Sequence, residues 1–155
     1  MKKLIAYFSP SGNTKAMAEK LAKATAADLF EIKPQTPYTR ADLDWTNKNS
    51  RSSVEMNDKS FRPQIAQLPN SLANYDTIFI GFPIWWYVAP TIINTFVENV
   101  DLDGKKVIPF ATSGGSGMGK TLANLKPSCP GANWVEGKVI NGMSEKALAD
   151  WAEKL

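Results

Sequence analysis

The 155-residue sequence predicts an α/β fold, a three-layer α/β/α sandwich around a five-stranded parallel sheet in the order 2-1-3-4-5. Short apolar runs alternate with helical patterns, which is typical of right-handed β-α-β crossovers. Three of the runs are continuously apolar, as in strands that are buried on both faces. Two others mix charged and apolar residues, so we expect them at the edges of the sheet.

The strands follow from these runs in chain order. The continuously apolar runs predict strands one, three and four, and the mixed runs predict strands two and five. Pro109 lies in the fourth run, and proline cannot donate a hydrogen bond to a central ladder. We therefore expect it near the end of that strand. The five predicted strands cover residues 4–8, 28–33, 77–82, 106–111 and 134–140.

Helical patterns lie between the strands. Met17 and Leu21 share a face of a helix that begins near Thr14; later helices follow Pro90 and a Ser144 cap. The segment of residues 34–69 is polar and weakly periodic. It predicts one helix within residues 40–57, with the rest covering the sheet edge near the ligand site. Its role is left open between shaping a pocket and shielding that edge.

Composition restricts the class of protein. The hydrophobic fraction of 43% and charged fraction of 21% indicate one soluble globular domain, residues 1–155, without a membrane segment. The sequence has no histidine and one cysteine, which excludes His-based catalysis and His or thiolate metal sites. A net charge of +3 from scattered lysines gives little support for nucleic-acid binding. The single cysteine and the lack of a secretory core predict a cytoplasmic location.

Three loops follow the predicted central strands. Residues 9–14, Ser-Pro-Ser-Gly-Asn-Thr, join strand one to a helix, as in a phosphate cradle of hydroxyls and backbone N–H groups; the alternative is a simple helix cap. Residues 83–87, Pro-Ile-Trp-Trp-Tyr, offer flat rings to a flat cofactor, or form a packed apolar lid. Residues 112–117, Thr-Ser-Gly-Gly-Ser-Gly, offer backbone donors to a ligand, or form a flexible turn.

The third loop also contains a competing motif. Residues 114–121 match G-x-x-x-x-G-K-[ST], with Gly119, Lys120 and Thr121, and they lie between a strand and a helix. This pattern is typical of nucleoside-triphosphate binding. However, no other apolar strand ends in the aspartate that would complete a magnesium site. We therefore keep a P-loop nucleotide-binding protein only as an alternative.

Taken together and in this order, the three loops resemble those of the flavodoxin superfamily, and most closely its small FMN-binding flavodoxin-like branch. The resemblance implies a flavodoxin-like fold that binds FMN non-covalently and carries electrons through it. The phosphate would contact the first loop, and the flavin ring would lie between the second and third. The implied cofactor-binding residues are Ser9, Ser11, Gly12, Asn13, Thr14, Pro83, Ile84, Trp85, Trp86, Thr112, Ser113, Gly114, Gly115 and Gly117.

Two departures from the resemblance leave the reaction open. Tyr87 follows the paired tryptophans where similar proteins often have glycine, and the chain is mildly basic where electron-shuttling flavodoxins are acidic. One hypothesis is an electron carrier between redox partner proteins. The alternative is an NAD(P)H oxidoreductase that reduces a quinone or similar small planar acceptor, with catalysis borne by the flavin. Arg40, Arg51 and Arg62 would then meet a nucleotide phosphate, or else form only a solvated face.

Overall fold

A computed structural model describes residues 2–155 and contains one parallel sheet flanked by helices. The strand order is β2-β1-β3-β4, and both β5 and β6 pair with β4 on its other side. This confirms the predicted order 2-1-3-4-5, with the fifth strand formed in two pieces. The strands are β1 (Lys2–Tyr7), β2 (Asp28–Glu31), β3 (Tyr75–Pro83), β4 (Lys106–Thr112), β5 (Asn133–Trp134) and β6 (Lys138–Val139).

Pro109 explains why the fifth strand is interrupted. The N–H groups of Val135 and Ile140 donate to the carbonyls of Val107 and Ala111, each at 2.9 Å. The backbone N–H and carbonyl groups of alternate residues in a strand point to the same side, so the backbone of Pro109 also faces the fifth strand. Its missing N–H breaks the ladder there, between β5 and β6. The β3 ladder loses no donor. Proline is therefore accommodated in the middle of β4. The sequence had led us to expect it near the end of that strand.

Gly137 lies against this break. A Cβ built at Gly137 would be 1.8 Å from the Pro109 carbonyl oxygen, which is backbone and cannot rotate away. We expect Gly137→Ala to lower the free energy of unfolding by about 2–3 kcal/mol, measured by urea denaturation, because the edge strand must move. Gly117→Ala is the control, since nothing lies within 4 Å of its added carbon. Equal losses in both variants would contradict this account.

Three helices begin where the sequence predicts, near Thr14, after Pro90 and after Ser144. Ser144 and Ser50 cap α5 and α2, because their hydroxyl oxygens accept the N–H groups of Ala147 at 3.1 Å and of Ser53 at 3.3 Å. The second of these is the helix expected within residues 40–57. A 3-10 turn, Lys126–Ser128, follows α4. The helices are α1 (Asn13–Thr25), α2 (Arg51–Met56), α3 (Thr91–Asn99), α4 (Thr121–Leu125) and α5 (Glu145–Glu153).

The core lies on both faces of the sheet. On one face, Leu4 and its neighbours pack with Phe96 and the rest of the buried side of α3. On the other, Ile5 packs with Leu21 of α1 and Leu148 of α5. Among residues 2–155, no helix is long and apolar enough to span a bilayer. Because all strands are parallel, the loops that follow β1, β3 and β4 meet at one edge of the sheet.

Candidate functional site

The first loop leads into a helix whose N-cap residue has no side chain. Gly12 is the N-cap residue of α1 and has a φ of 92°, a conformation that glycine adopts without strain. Gly12 has no side chain to cap α1, and the first turn has no acidic residue. The Ser9 hydroxyl oxygen accepts the Lys15 N–H at 2.9 Å. The amides of Asn13 and Thr14 are thus left without a capping side chain at the positive end of a helix, an arrangement that suits an anion.

Thr14 lies behind this loop. Its hydroxyl is buried and hydrogen-bonded to the hydroxyl of Thr112 at 2.7 Å. Thr112 is the last residue of β4, so this bond joins the first loop to the third. The Thr14 side chain therefore holds two loops together.

Thr14→Val should lower the free energy of unfolding by about 1–3 kcal/mol, because it leaves the Thr112 hydroxyl buried without its partner. The double variant Thr14→Val, Thr112→Val should recover part of that loss, since both partners are then apolar and of similar shape. Chemical denaturation of the two single variants and the double variant measures the coupling. Strictly additive losses would show that the two hydroxyls do not interact.

The second loop is a tight turn with unusual backbone angles. Trp85 and Val88 exchange backbone hydrogen bonds of 3.0 and 3.2 Å, and the two residues between them have positive φ: 50° at Trp86 and 67° at Tyr87. This is the pattern of a type I′ turn, which favours glycine and asparagine. Side chains at such angles cost on the order of 1–3 kcal/mol each, and such strain is concentrated at functional sites.

Contacts from the third loop fix the turn. The Tyr87 carbonyl oxygen accepts the Lys120 N–H at 3.2 Å. Gly119 packs so closely that a Cβ there would be 2.3 Å from the same oxygen. The Tyr87 carbonyl is therefore already hydrogen-bonded, and the peptides of the turn have little freedom to change their orientation.

The two tryptophans of this loop are in different environments. Trp85 packs edge-on against Phe8 and Tyr38, with ring centroids 5.7 Å apart in both pairs. Trp86 is 46% exposed and Tyr87 66% exposed. Trp85 is therefore part of the wall, and Trp86 and Tyr87 offer ring surface to a ligand.

Tyr38, which packs against Trp85, is itself held by Glu55 and Arg51. The Tyr38 hydroxyl donates to Glu55, and the Arg51 Nε donates to the same carboxylate at 3.0 Å while its guanidinium lies 3.8 Å over the Tyr38 ring. Burial, and then the hydrogen bond to Glu55, raise the pKa of Tyr38. Arg51 thus forms an ion pair with Glu55. Arg62 forms an ion pair with Glu98, at 2.8 Å.

The third loop is held by a residue from the far edge of the sheet. Asn141, which follows β6, accepts the Ser113 N–H at 2.8 Å and donates to the Ser113 carbonyl at 2.9 Å. The Ser113 hydroxyl in turn accepts the Gly115 N–H at 3.1 Å. Asn141 is thus a positioning residue for this loop.

One cavity of about 570 Å³ joins the three loops. Of the residues named from the sequence, nine line it: Ser11, Asn13, Pro83, Ile84, Trp85, Trp86, Thr112, Ser113 and Gly114. Five others shape the loops without lining the cavity: Ser9, Gly12, Thr14, Gly115 and Gly117. The wall is completed by Leu43, Trp45, Ser52, Tyr87, Ser116 and Asn141, and among residues 2–155 no charged side chain lines it.

One of these additional residues, Asn141, could have been found from the sequence. Asn141 follows the fifth strand at the same edge as the three loops, where a polar side chain can reach the site. Leu43, Trp45 and Ser52 come from the segment 34–69, whose weak periodicity gives no such indication. The segment 34–69 therefore shapes the cavity, which was one of the two roles that the sequence left open.

The competing nucleotide motif is not favoured by the geometry. Thr121 is fully buried, with its hydroxyl donating to the Met118 carbonyl at 2.5 Å, and this burial keeps it from a magnesium ion. Gly119 and the Lys120 amide contact Tyr87, as described above. Lys120 does not line the cavity of the three loops. The residues that match the motif thus serve the aromatic turn.

Comparison with solved structures gives close relatives. A candidate flavoprotein from Bacteroides eggerthii DSM 20697 is 53% identical, with a TM-score of 0.95 over 99% of this chain and 96% of that one. A flavoprotein from Lactobacillus acidophilus NCFM, solved in complex with FMN, is 27% identical, with a TM-score of 0.71 over 97% of this chain and 98% of that one.

A curated relative matches over a shorter range. The uncharacterized NAD(P)H oxidoreductase YcaK of Escherichia coli K12 is 29% identical over 98 residues, or 63% of this chain. The match covers 45% of that relative, so the chain spans less than half of its length. A family model described as Flavodoxin matches residues 2–155. The three loops at one sheet edge and this match over the whole described chain confirm the resemblance: the protein belongs to the flavodoxin family.

Proposed function

We propose that the protein is a redox protein that binds FMN non-covalently and transfers electrons through it. The observation that carries this proposal is the cavity of about 570 Å³, which joins the N-terminus of α1, exposed aromatic rings and the glycine-rich third loop. Its volume is in the range of sites for cofactor-sized ligands, roughly 300–1,000 Å³. The Lactobacillus acidophilus relative, solved with FMN, supports the choice of cofactor.

The residues divide by the part of FMN that they would meet. Ser11, Asn13 and the open amides of α1 would hold the phosphate, and Ser9, Gly12 and Thr14 set the shape of that loop. Pro83, Ile84, Trp85 and Trp86 would meet one side of the ring. The other side would meet Thr112, Ser113 and Gly114, with Gly115 and Gly117 keeping the loop open.

FMN, when bound, supplies a ring that accepts and releases electrons. The chain orients that ring, excludes water from it with aromatic side chains, and controls the charge around it. Because no charged side chain of the described residues lines the cavity, hydroxyl, amide and backbone donors meet the negative charge that reduction adds there. We therefore expect a low reduction potential.

An absorbance titration tests the proposal. Protein freed of flavin should perturb the visible bands of added FMN and saturate at one FMN per chain. A solution in which the FMN spectrum stays that of free FMN at every protein concentration would contradict it.

A second candidate, an NAD(P)H oxidoreductase, is favoured by the fixed aromatic turn. The hydrogen bond at the Tyr87 carbonyl and the positive φ angles of Trp86 and Tyr87 hold the backbone of the turn in one conformation. They oppose a change in the orientation of its peptides when the flavin is reduced. A site that does not adjust favours taking two electrons together, as one hydride from NAD(P)H. A quinone would then take up two electrons and two protons. YcaK, described as an NAD(P)H oxidoreductase, supports this candidate.

Spectroelectrochemistry separates the carrier from the oxidoreductase. A Nernst slope for two electrons in a single wave is expected for the oxidoreductase, together with NAD(P)H oxidation that depends on added quinone. Two well-separated one-electron waves, without NAD(P)H oxidation, would favour an electron carrier with a protein partner. The net charge of +3 then points to an acidic partner surface. A cytoplasmic setting, which the lone Cys129 fits, is part of this proposal.

A further inference from the structure

A second cavity lies on the other side of the aromatic turn. It has a volume of about 770 Å³ and is bounded by α3, by α4 with the residues after it, and by residues following α2. It shares Trp86 and Tyr87 with the three-loop cavity. No residue of the first loop or of residues 112–117 lines it. The two rings therefore stand between two separate cavities.

The charge of the second cavity is positive. Lys59, Arg62 and Lys120 line it, and Glu98 is the acidic residue among its lining side chains. Arg62 binds Glu98 through two hydrogen bonds, of 2.8 and 3.1 Å. These bonds lower the pKa of Glu98, with a further contribution from the hydroxyl of Ser128, which donates to it at 2.9 Å.

The Arg62–Glu98 pair is thus neutral as a whole, and the two lysines remain. Within residues 2–155, neither Lys59 nor Lys120 forms an ion pair. Both side chains are exposed, so their ammonium groups are available to a ligand.

The wall of the cavity also has an unused polar group. Thr91, at the start of α3, lines the cavity, and its hydroxyl is the buried side-chain polar atom that lacks a hydrogen-bond partner in the described part of the chain. Buried polar groups are nearly always paired, so an orphaned one beside a cavity indicates a ligand or water. Beside it, the Asn94 amide donates to the Ser128 hydroxyl at 2.9 Å.

The remaining surface is apolar. Met56, Val88, Ala123 and Pro127 line the cavity together with the exposed rings of Trp86 and Tyr87. An aromatic wall next to unpaired cations suits a ligand that has both a flat apolar body and negative charge.

We propose that the second cavity binds a planar aromatic molecule that carries an acidic group, with its ring against Trp86 and Tyr87 and its anion at Lys59 and Lys120. The site is additional to the FMN site, with which it shares Trp86 and Tyr87. Its ligand lies across the turn from the three-loop cavity.

Calorimetric titration with 2-naphthoate and its neutral counterpart 2-naphthamide tests this site. With FMN-saturated protein, naphthoate should bind several-fold more tightly than naphthamide. Lys59→Gln and Lys120→Gln should each weaken naphthoate about 2- to 5-fold, the range of exposed ion pairs, and leave naphthamide unchanged. Lys146→Gln is the charge-matched control, because Lys146 is exposed on α5 against the opposite face of the sheet.

A blocking variant locates the probe. Ala123 is exposed and lines only the second cavity, so Ala123→Trp should abolish naphthoate binding and leave FMN affinity unchanged. Naphthoate binding that survives Ala123→Trp, that competes with FMN, or that equals naphthamide binding would overturn the proposal, as would the absence of heat with both probes. The same titrations on FMN-free protein test this cavity even if the FMN proposal fails.

Discussion

Riboflavin, which is FMN without its phosphate, is expected to bind about 3 kcal/mol more weakly than FMN, or roughly 100-fold in Kd. The reason is the N-terminus of α1, where Gly12 turns the chain and the first turn has no acidic side chain to compete for the amides of Asn13 and Thr14. Two charge-assisted hydrogen bonds from such groups account for this difference. Parallel fluorescence titrations with the two flavins measure it.

Variants of the first loop make this test specific. Ser11→Ala and Asn13→Ala should weaken FMN and leave riboflavin unchanged, because both residues line the cavity at the end where we propose the phosphate. Equal affinity for the two flavins, or equal weakening of both by these variants, would show that the phosphate does not lie in the first loop.

Trp86→Ala should weaken FMN and riboflavin equally, by about 2 kcal/mol or roughly 30-fold in Kd. The exposed ring of Trp86 loses its contact with water only when a flat ligand covers it. Because the variant acts on the ring and not on the phosphate, the ratio of the two affinities should stay constant.

Phe61→Ala is the matched control for this variant. Phe61 is also a partly exposed aromatic residue, but it lines neither cavity. We expect its affinity for both flavins to equal that of the unaltered protein. If Trp86→Ala has no larger effect than Phe61→Ala, the aromatic turn is not part of the flavin site.

The sheet and its three loops could be predicted because each depends on local sequence. Continuous apolar runs determine the strands, and the loops that follow parallel strands must meet at one edge. For the same reason Ser11, Trp86 and Ser113 lie around one cavity. The hydrogen bond between the side chains of Thr14 and Thr112 could not be predicted, since it depends on how two loops pack.

Contacts between distant residues account for what the sequence did not reveal. Trp45 enters the wall from a segment without periodicity, and Asn141 reaches Ser113 from across the sheet edge. The gap in the fifth strand depends on which side Pro109 faces, and that direction is set by the register of the sheet. The positive φ of Tyr87 runs against the preference of its residue type and is held by Gly119 and Lys120.

The location of FMN is tested most directly by an NMR titration of the 15N-labelled protein, freed of flavin, with FMN. We expect the largest amide shifts on residues 11–14, 84–87 and 113–116, the three loops of one cavity. Residues 94–98 and 123–128, which surround the second cavity, should show small shifts. The largest shifts around the second cavity, or no shifts in the three loops at saturating FMN, would contradict this location of FMN.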